Sequence, residues 1–305
     1  MDSEREERLN AFAARHGIIA DRWELIGQGR NFLVLAAGDV VARVIRSGEA
    51  CAGYLHPRAK LTREAEGLRI AARLGLNAPR LIALTRPEDG LDAMLTTRVR
   101  GTSAFRWEQA EHVRALLEQL NRLHAEEVTA KTAEEALARF QATHWMWIED
   151  AFLLRLRNGA DAQRLYAILE EIYALWIVQA QRALDMLGQT RFCRVHGDLN
   201  AKNLTVDGRG QVWILDWENT RVDWVLEDCW DMMLHSGRRP ELLMPFLESR
   251  GIRSPDVAKL LSRIIDPLLE VGWTRGAPDA LEHLEADGVS SQLVAALRDC
   301  MRRAR

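Results

Sequence analysis

Three oxygen-bearing side chains carry the clearest chemistry in this sequence. Val195-His196-Gly197-Asp198-Leu199-Asn200-Ala201-Lys202-Asn203-Leu204 is followed by Trp213-Ile214-Leu215-Asp216-Trp217-Glu218. The pattern is H-x-D-x-x-x-x-N, two apolar runs, and a second aspartate 18 residues after the first. Phosphoryl transfer asks a protein for little covalent chemistry and much positioning and charge neutralisation. It needs a carboxylate beside an incoming hydroxyl and hard oxygen ligands for Mg²⁺, and Asp198, Asn203 and Asp216 are of those types. The bland alternative is that Asp and Asn in loops cap turns. That alternative must produce His196, Asp198, Asn203, an apolar strand and Asp216 at these offsets by chance.

The elements around this stretch have to bring its ends together. Leu204–Val206 and Val212–Leu215 read as two short strands joined by the turn Asp207-Gly208-Arg209-Gly210. Such a hairpin returns Asp216 to the end where Asn203 starts. Upstream, residues 2–15 suit a short charged helix, and Phe32–Ala36 and Val40–Ile45 suit strands linked by Ala37-Gly38-Asp39. Ile26-Gly27-Gln28-Gly29-Arg30-Asn31 reads as a glycine-bearing turn between strands. Residues 62–74 have helical spacing, which Asn77-Ala78-Pro79 is expected to end. Arg80–Leu84 and Ala93–Thr97 read as strands around the turn Pro87-Glu88-Asp89-Gly90. Beyond Gly101 the pattern turns helical. Val113, Leu116, Leu117, Leu120 and Leu123 form a stripe, and residues 133–156, 161–188 and 240–305 carry further helical patterns.

Bulk properties narrow the function classes. Hydrophobic residues make up 48% and charged residues 28% of 305, so a sizeable core is expected rather than disorder. Net charge is −3, which argues against a nucleic-acid binder. Residues 1–101 hold 16 basic and 13 acidic residues, leaving an acidic remainder. A basic front suits phosphates and an acidic back suits a cationic substrate, although uneven surface scatter explains the second equally well. Cys51, Cys193, Cys229 and Cys300 form no CxxC pair and fit reduced, buried thiols. The charged first 15 residues lack a signal-peptide core, and no apolar run approaches the ~18 residues of a membrane span. A soluble, cytoplasmic protein is expected, with no nucleic-acid or membrane partner and an open oligomeric state.

The stretch at 195–218 resembles the aminoglycoside phosphotransferase and choline kinase group, distant relatives of protein kinases. It departs from protein kinases proper, which have arginine at Gly197, lysine at Asn200 and Phe-Gly at Trp217-Glu218. The resemblance covers most of residues 20–235, with its specific motifs at 195–218. It implies an α+β, two-lobed, protein-kinase-like fold. A nucleotide-binding lobe over residues 1–100 would hold an antiparallel sheet and a helix, and a mainly helical lobe over 101–305 would hold the catalytic hairpin and acceptor site.

The resemblance also implies roles. Asp198 would orient the acceptor hydroxyl and take its proton, with Asn203 and Asp216 holding Mg²⁺. Arg43, in Val41-Ala42-Arg43-Val44, would grip the α- and β-phosphates, and arginine can do so bidentately. Glu64 would orient Arg43, with Glu66 as its rival. Gly27 and Gly29 would cover the phosphates of ATP, or of GTP as the alternative, and the backbones of Thr97 and Val99 would meet adenine. His196 is expected to shape the loop rather than move protons, and Asp231 to brace it. Lys202 reads as solvent-facing, with a reach to phosphate as the alternative.

Glu218, Asp223, Trp224, Glu227 and Asp228 are the candidates for contact with the acceptor, their carboxylates suiting an amino sugar and the tryptophan face a quaternary amine or sugar ring. The bland reading makes the acids solvated and the tryptophans core. The expected reaction is phosphoryl transfer to a hydroxyl of a small molecule such as an aminoglycoside-like antibiotic or amino sugar. The alternatives are a kinase of choline, homoserine or a sugar, or a nucleotide-binding pseudokinase serving as an interaction module.

Overall fold

The computed structural model describes residues 2–29, 32–46, 57–126, 133–152, 156, 161–187, 192–225, 227–229, 232, 240–250, 264–265, 267–272 and 278–303. The chain opens with α1 (Ser3–Ala14), capped by Asp2, whose side chain accepts from the Arg5 amide at 2.9 Å. A five-stranded antiparallel sheet follows in the order β1 (Glu24–Gln28), β2 (Phe32–Ala37), β3 (Val40–Ile45), β5 (Ala93–Thr97), β4 (Leu81–Leu84). The β2–β3 turn is where expected, with Gly38 at φ +56°. Leu9, Phe12 and Ala13 of α1 pack with Trp23, Leu35, Ala42, Val44 and Leu95 into one apolar cluster. α2 (Pro57–Arg73) lies between β3 and β4 in sequence and packs against β4 and β5.

Three local expectations are corrected. Gly27 is not in a turn: it lies within β1, where the pairing with β2 shifts register between Leu25 and Gly27. Gly29 follows the strand, and its amide donates to the Phe32 carbonyl at 2.9 Å; residues 30 and 31 lie outside the described residues. α2 starts earlier than its apolar spacing suggested and is ended by Gly75, not by residues 77–79. Gly75 takes φ +63°, and the Leu76 amide reaches back to the Ala71 carbonyl at 2.9 Å.

After β5 come β6 (Gly101–Ala104), α3 (Ala110–His124), α4 (Ala133–Ala151) and α5 (Ala162–Leu187). In α3 the expected stripe is buried at Val113, Leu116, Leu120 and Leu123, with Leu117 half-buried. Next are β7 (Phe192–Val195), β8 (Leu204–Asp207), β9 (Val212–Ile214) and β10 (Arg221–Trp224). The hairpin read from sequence is β8–β9, extended on its other edge by β6. β7 and β10 pair antiparallel, placing Arg221 opposite Val195. β1, β6, β7 and β10 are too short or too polar to stand out as strands from periodicity alone. The described residues end with α6 (Pro240–Glu248), α7 (Pro278–Ala286) and α8 (Ser291–Arg303). None of the described helices is long and apolar enough to cross a membrane.

Packing divides the chain into two units, Met1–Val128 with Phe192–Phe246, and Thr129–Arg191 with Leu247–Arg305. β6 pairs with β8 and α3 packs on β7 and β9, which ties residues 101–124 to the first unit. In the second unit, α5 packs with α4 and α8, and Trp176 is fully buried beside Tyr173 and His144.

Candidate active site

The loop that carries Asp198 joins β7 to β8. Its residue Asn200 caps a short 3₁₀ turn at Ala201–Asn203, accepting from the Lys202 amide at 2.9 Å. The same side chain donates its amide to Asp198 Oδ1 at 2.6 Å. Asn203 donates to Asp198 Oδ2 at 2.9 Å and to the Asp198 carbonyl at 3.0 Å. Both oxygens of the Asp198 carboxylate are thereby held by neutral donors. Burial raises its pKa above the usual carboxylate value, Asp216 adds to the rise, and His196, Asn200 and Asn203 oppose it. Lys202 is exposed, as expected.

The hairpin closes as the sequence suggested. The Leu215 amide donates to the Asn203 carbonyl at 2.8 Å, so the end of β9 returns to the start of β8. Asp216 is the next residue. It takes φ +61° and ψ +65°, the left-handed conformation that costs a non-glycine residue about 1 kcal/mol or more. Asp216 is the N-cap position of a second 3₁₀ turn, Trp217–Asn219, on which α2 sits. Gly67 permits that approach, because a Cβ there would lie 2.6 Å from the Trp217 carbonyl oxygen.

This seat brings α2 to the site. Arg43 of β3 donates from Nη1 to Glu64 Oε2 at 2.5 Å and to Asp216 Oδ1 at 3.0 Å. Its Nη2 lies 3.7 Å from Glu218 Oε2, and its guanidinium stacks 4.7 Å from the centre of the Phe32 ring. Lys60, one helical turn before Glu64, reaches Glu218 Oε1 at 3.0 Å. Glu64, Asp216 and Glu218 each bring a carboxylate oxygen within 4.8 Å of one another. Burial works against the charge of Arg43, but Glu64, Asp216 and Glu218 outweigh it and raise its pKa further. Glu64 is pushed up to about 7 by burial, with Arg43 opposing and Asp216 and Glu218 adding.

Of the two helix glutamates, Glu64 is the one that meets Arg43, while Glu66 is exposed. His196 has its ring 3.1 Å from the Leu215 carbonyl and edge-on to Trp217, which supports a loop-shaping role. Asp228 is a correction. Grouped by sequence with the acceptor candidates, it is fully buried and accepts from the His196 and Gly197 amides at 2.9 and 2.8 Å. Its Oδ2 also lies 2.9 Å from His124 Nε2. Although burial favours the protonated form, His124, His196 and the Gly197 amide hold its pKa below the usual carboxylate value. It thus braces the loop, the task expected of Asp231, which lies outside the described residues.

Asp223 and Glu227 are also buried, and both pair with Arg221, at 2.7 and 2.8 Å. The Trp224 backbone pairs with Phe192 at the end of β10. Thr97 ends β5 with its amide on the Arg80 carbonyl at 2.9 Å, and Val99 follows it outside the sheet. Sequence reasoning missed Asn200, Lys60 and Arg221 as parts of the site. Asn200 alone left a signal, two positions after Asp198 in the loop; the other two depend on packing.

Solved structures share this architecture. APH(2″)-IIa, in a ternary complex with streptomycin and ATP, superposes with TM-score 0.62 at 14% identity, over 96% of this chain and 98% of that one. The choline kinase LicA from Streptococcus pneumoniae gives 0.60 at 14% identity over 99% of each chain. The macrolide 2′-phosphotransferase MphH from Brachybacterium faecium gives 0.56 at 18% identity, over 95% of this chain and 98% of that one. No curated protein matches the chain by sequence. The profile of the phosphotransferase enzyme family matches residues 22–261, a span that holds β1 to β10 and every residue of the site above. The chain belongs to the phosphotransferase enzyme family.

Proposed function

We propose that this phosphotransferase moves the γ-phosphate of ATP to an alcohol group of a small molecule, with Asp198 as the group that receives the hydroxyl proton. The observation that carries this reading is the linked set Asp198–Asn203–Asp216–Arg43–Glu64, joined at 2.9 Å between Asp198 and Asn203, 2.8 Å between Asn203 and Leu215, and 3.0 and 2.5 Å at Arg43. Asn200 and Asn203 fix the Asp198 carboxylate so that an acceptor hydroxyl can donate to it. Its raised pKa suits a base that takes the proton late, once bonding to phosphorus is advanced. Arg43, anchored by Glu64, presents a permanently charged fork to the nucleotide phosphates. Residues 1–100 then act as the nucleotide-binding lobe and 101–305 as the catalytic and acceptor lobe, with Gly27 and Gly29 above the phosphates. Since the Thr97 amide is committed to Arg80, its carbonyl is the group that would meet adenine, followed by the Val99 backbone.

The donor set fits Mg²⁺. Asn203 spends its amide nitrogen on Asp198 and keeps its oxygen, and Asp216 spends one oxygen on Arg43 while its side chain stays 31% exposed. Asn203 and Asp216 would hold the ion, which supplies charge neutralisation at the phosphates.

The acceptor is proposed as a small alcohol of the kinds named for the structural neighbours, an aminoglycoside, a macrolide or choline, with homoserine and sugars as alternatives. The acidic segment supports a polycation less than its composition suggested. Glu218 is paired with Lys60, Asp223 and Glu227 with Arg221, and Asp228 with the loop.

Mg²⁺-dependent turnover of ATP and GTP over a panel of these hydroxyl compounds tests the reading, with Asp198→Ala as the blank. A hit lost in that variant is expected, with kcat down about 10³-fold or more. Full activity in Asp198→Ala, or a melting temperature that Mg-ATP leaves unmoved, would overturn it.

A further inference from the structure

We infer that Arg221 is a positioning residue for the catalytic loop, holding Asp198 and Asp216 in register through the backbone of Gly197 and Asn219. This rests on the reading of Asp198 and Asp216 given above and deepens it. The argument starts at Gly197, which precedes Asp198 and takes φ +79°. A Cβ at that position would lie 2.5 Å from Arg221 Nη1 and 2.9 Å from the Asn219 carbonyl oxygen. The guanidinium therefore occupies the space that a side chain at residue 197 would need, and it lies against the loop backbone.

The same Nη1 donates to the Asn219 carbonyl at 3.0 Å. Asn219 ends the 3₁₀ turn that Asp216 begins. One planar group thus fills the space beside Gly197, just before Asp198, and donates to the end of the 3₁₀ turn that follows Asp216. Its other two nitrogens are fixed from behind: Nε donates to Asp223 Oδ2 at 2.7 Å and Nη2 to Glu227 Oε2 at 2.8 Å. Both acids are buried, Asp223 at 1% and Glu227 at 5% exposure, and Glu227 Oε1 has no hydrogen-bond partner.

The arrangement is costly as a mere ion pair. Two buried carboxylates meet one guanidinium, next to Asp228 and its partner His124, and a packed apolar cluster of the same volume would be about as stable or more so. A positioning role accounts for the expense. The planar fork serves three directions at once, which a lysine ammonium on a flexible stem does not. Asp228 holds the His196 and Gly197 amides, and Arg221 fills the space beside Gly197.

The test uses the full chain and three variants: Arg221→Lys, Arg221→Met, and Arg221→Met combined with Asp223→Asn and Glu227→Gln. The combined variant removes the buried charges together, so it keeps the fold where Arg221→Met alone takes the neutralising cation from two buried acids. Melting temperature, amide hydrogen exchange over residues 195–203, and kcat and nucleotide KM with the best acceptor of the panel are measured. Arg221→Lys is expected to lower kcat about 10- to 100-fold with nucleotide KM within about 3-fold, since a misplacement of about 1 Å at a reacting group costs that much. The combined variant is expected to melt near the wild type while exchange at residues 196–198 is faster and kcat stays low.

Recovery of kcat together with melting temperature in the combined variant would show that Arg221 only neutralises its neighbours, and would overturn the inference. So would unchanged exchange in Arg221→Lys. Hydrogen exchange needs no turnover, so it decides the inference even where the wild type phosphorylates nothing on the panel, an outcome that counts against the functional reading instead.

Discussion

Arg43 meets Glu64, Asp216 and Glu218 through one guanidinium, and its Nε has no hydrogen-bond partner in its buried position. Three carboxylates meet two cations here, Arg43 and the Lys60 that reaches Glu218, so the surplus is at most one negative charge and is smaller while burial keeps Glu64 protonated; a divalent cation would offset it. The shape of the fork matters more than its charge. Arg43→Lys is expected to raise nucleotide KM about 10-fold through loss of the second charge-assisted contact, with a smaller change in kcat. Steady-state kinetics at saturating acceptor check this, and an unchanged KM would remove Arg43 from the phosphate site. Types and spacing singled out Asp198, Asn203 and Asp216, and the family resemblance added Arg43 and Glu64. Lys60 was not singled out, because a lysine one turn before Glu64 reads as a solvated helix residue until the turn at 217–219 is seen beneath it.

At the scale of elements, the decisive contact is α2 on the 3₁₀ turn after Asp216. Gly67 meets Trp217 there with no room for a methyl group. Gly67→Ala is therefore expected to cost about 1–3 kcal/mol by overpacking. It should also raise nucleotide KM, because Glu64 rides on the same helix. Gly38→Ala is the comparison: at φ +56° with open space around it, it strains the β2–β3 turn by about 1 kcal/mol without touching the site. Thermal melts and KM on both variants separate the effects. Equal KM in the two would show that the seat of α2 does not set Glu64. The sequence showed β2, β3, β5 and the β8–β9 hairpin within a residue or so, since each has an apolar run and a turn signal. β6, β7 and β10 gave no such signal, because strands of four residues with Arg194, Arg221 and Asp223 among them owe their conformation to pairing partners distant in the chain.

For the whole molecule, the buried acids make stability depend on pH. Burial, with Asp223 and Asp228 adding and Arg221 opposing, pushes Glu227 up to about 7 in the folded protein, against an ordinary value of 4.5. A carboxyl that holds its proton more tightly when folded contributes stability that is fully present below pH 4.5 and is lost as pH rises to about 7. Glu227→Gln does not titrate. Its melting temperature relative to the wild type is therefore expected to rise between pH 5 and pH 8, by a few degrees for about 1–2 kcal/mol. Melts of both proteins across that range check the sign, and a constant difference would mean that Glu227 is charged throughout.

The sequence by itself determined the reaction class, through oxygen-bearing residue types at short fixed offsets and the family resemblance they carry; that resemblance implied the α+β, two-lobed fold and underlies the roles proposed for Asp198, Asn203 and Asp216. The tertiary structure decided what each remaining charge does. Asp228 braces the loop, Glu218 joins Lys60 and Arg43, and Asp223 and Glu227 hold Arg221. All four acids look alike in sequence, and all were equal candidates for an acceptor. A carboxylate is free for a ligand only if no cation or amide claims it first, and those claims come from residues distant in the chain, as Lys60 is at 158 positions from Glu218.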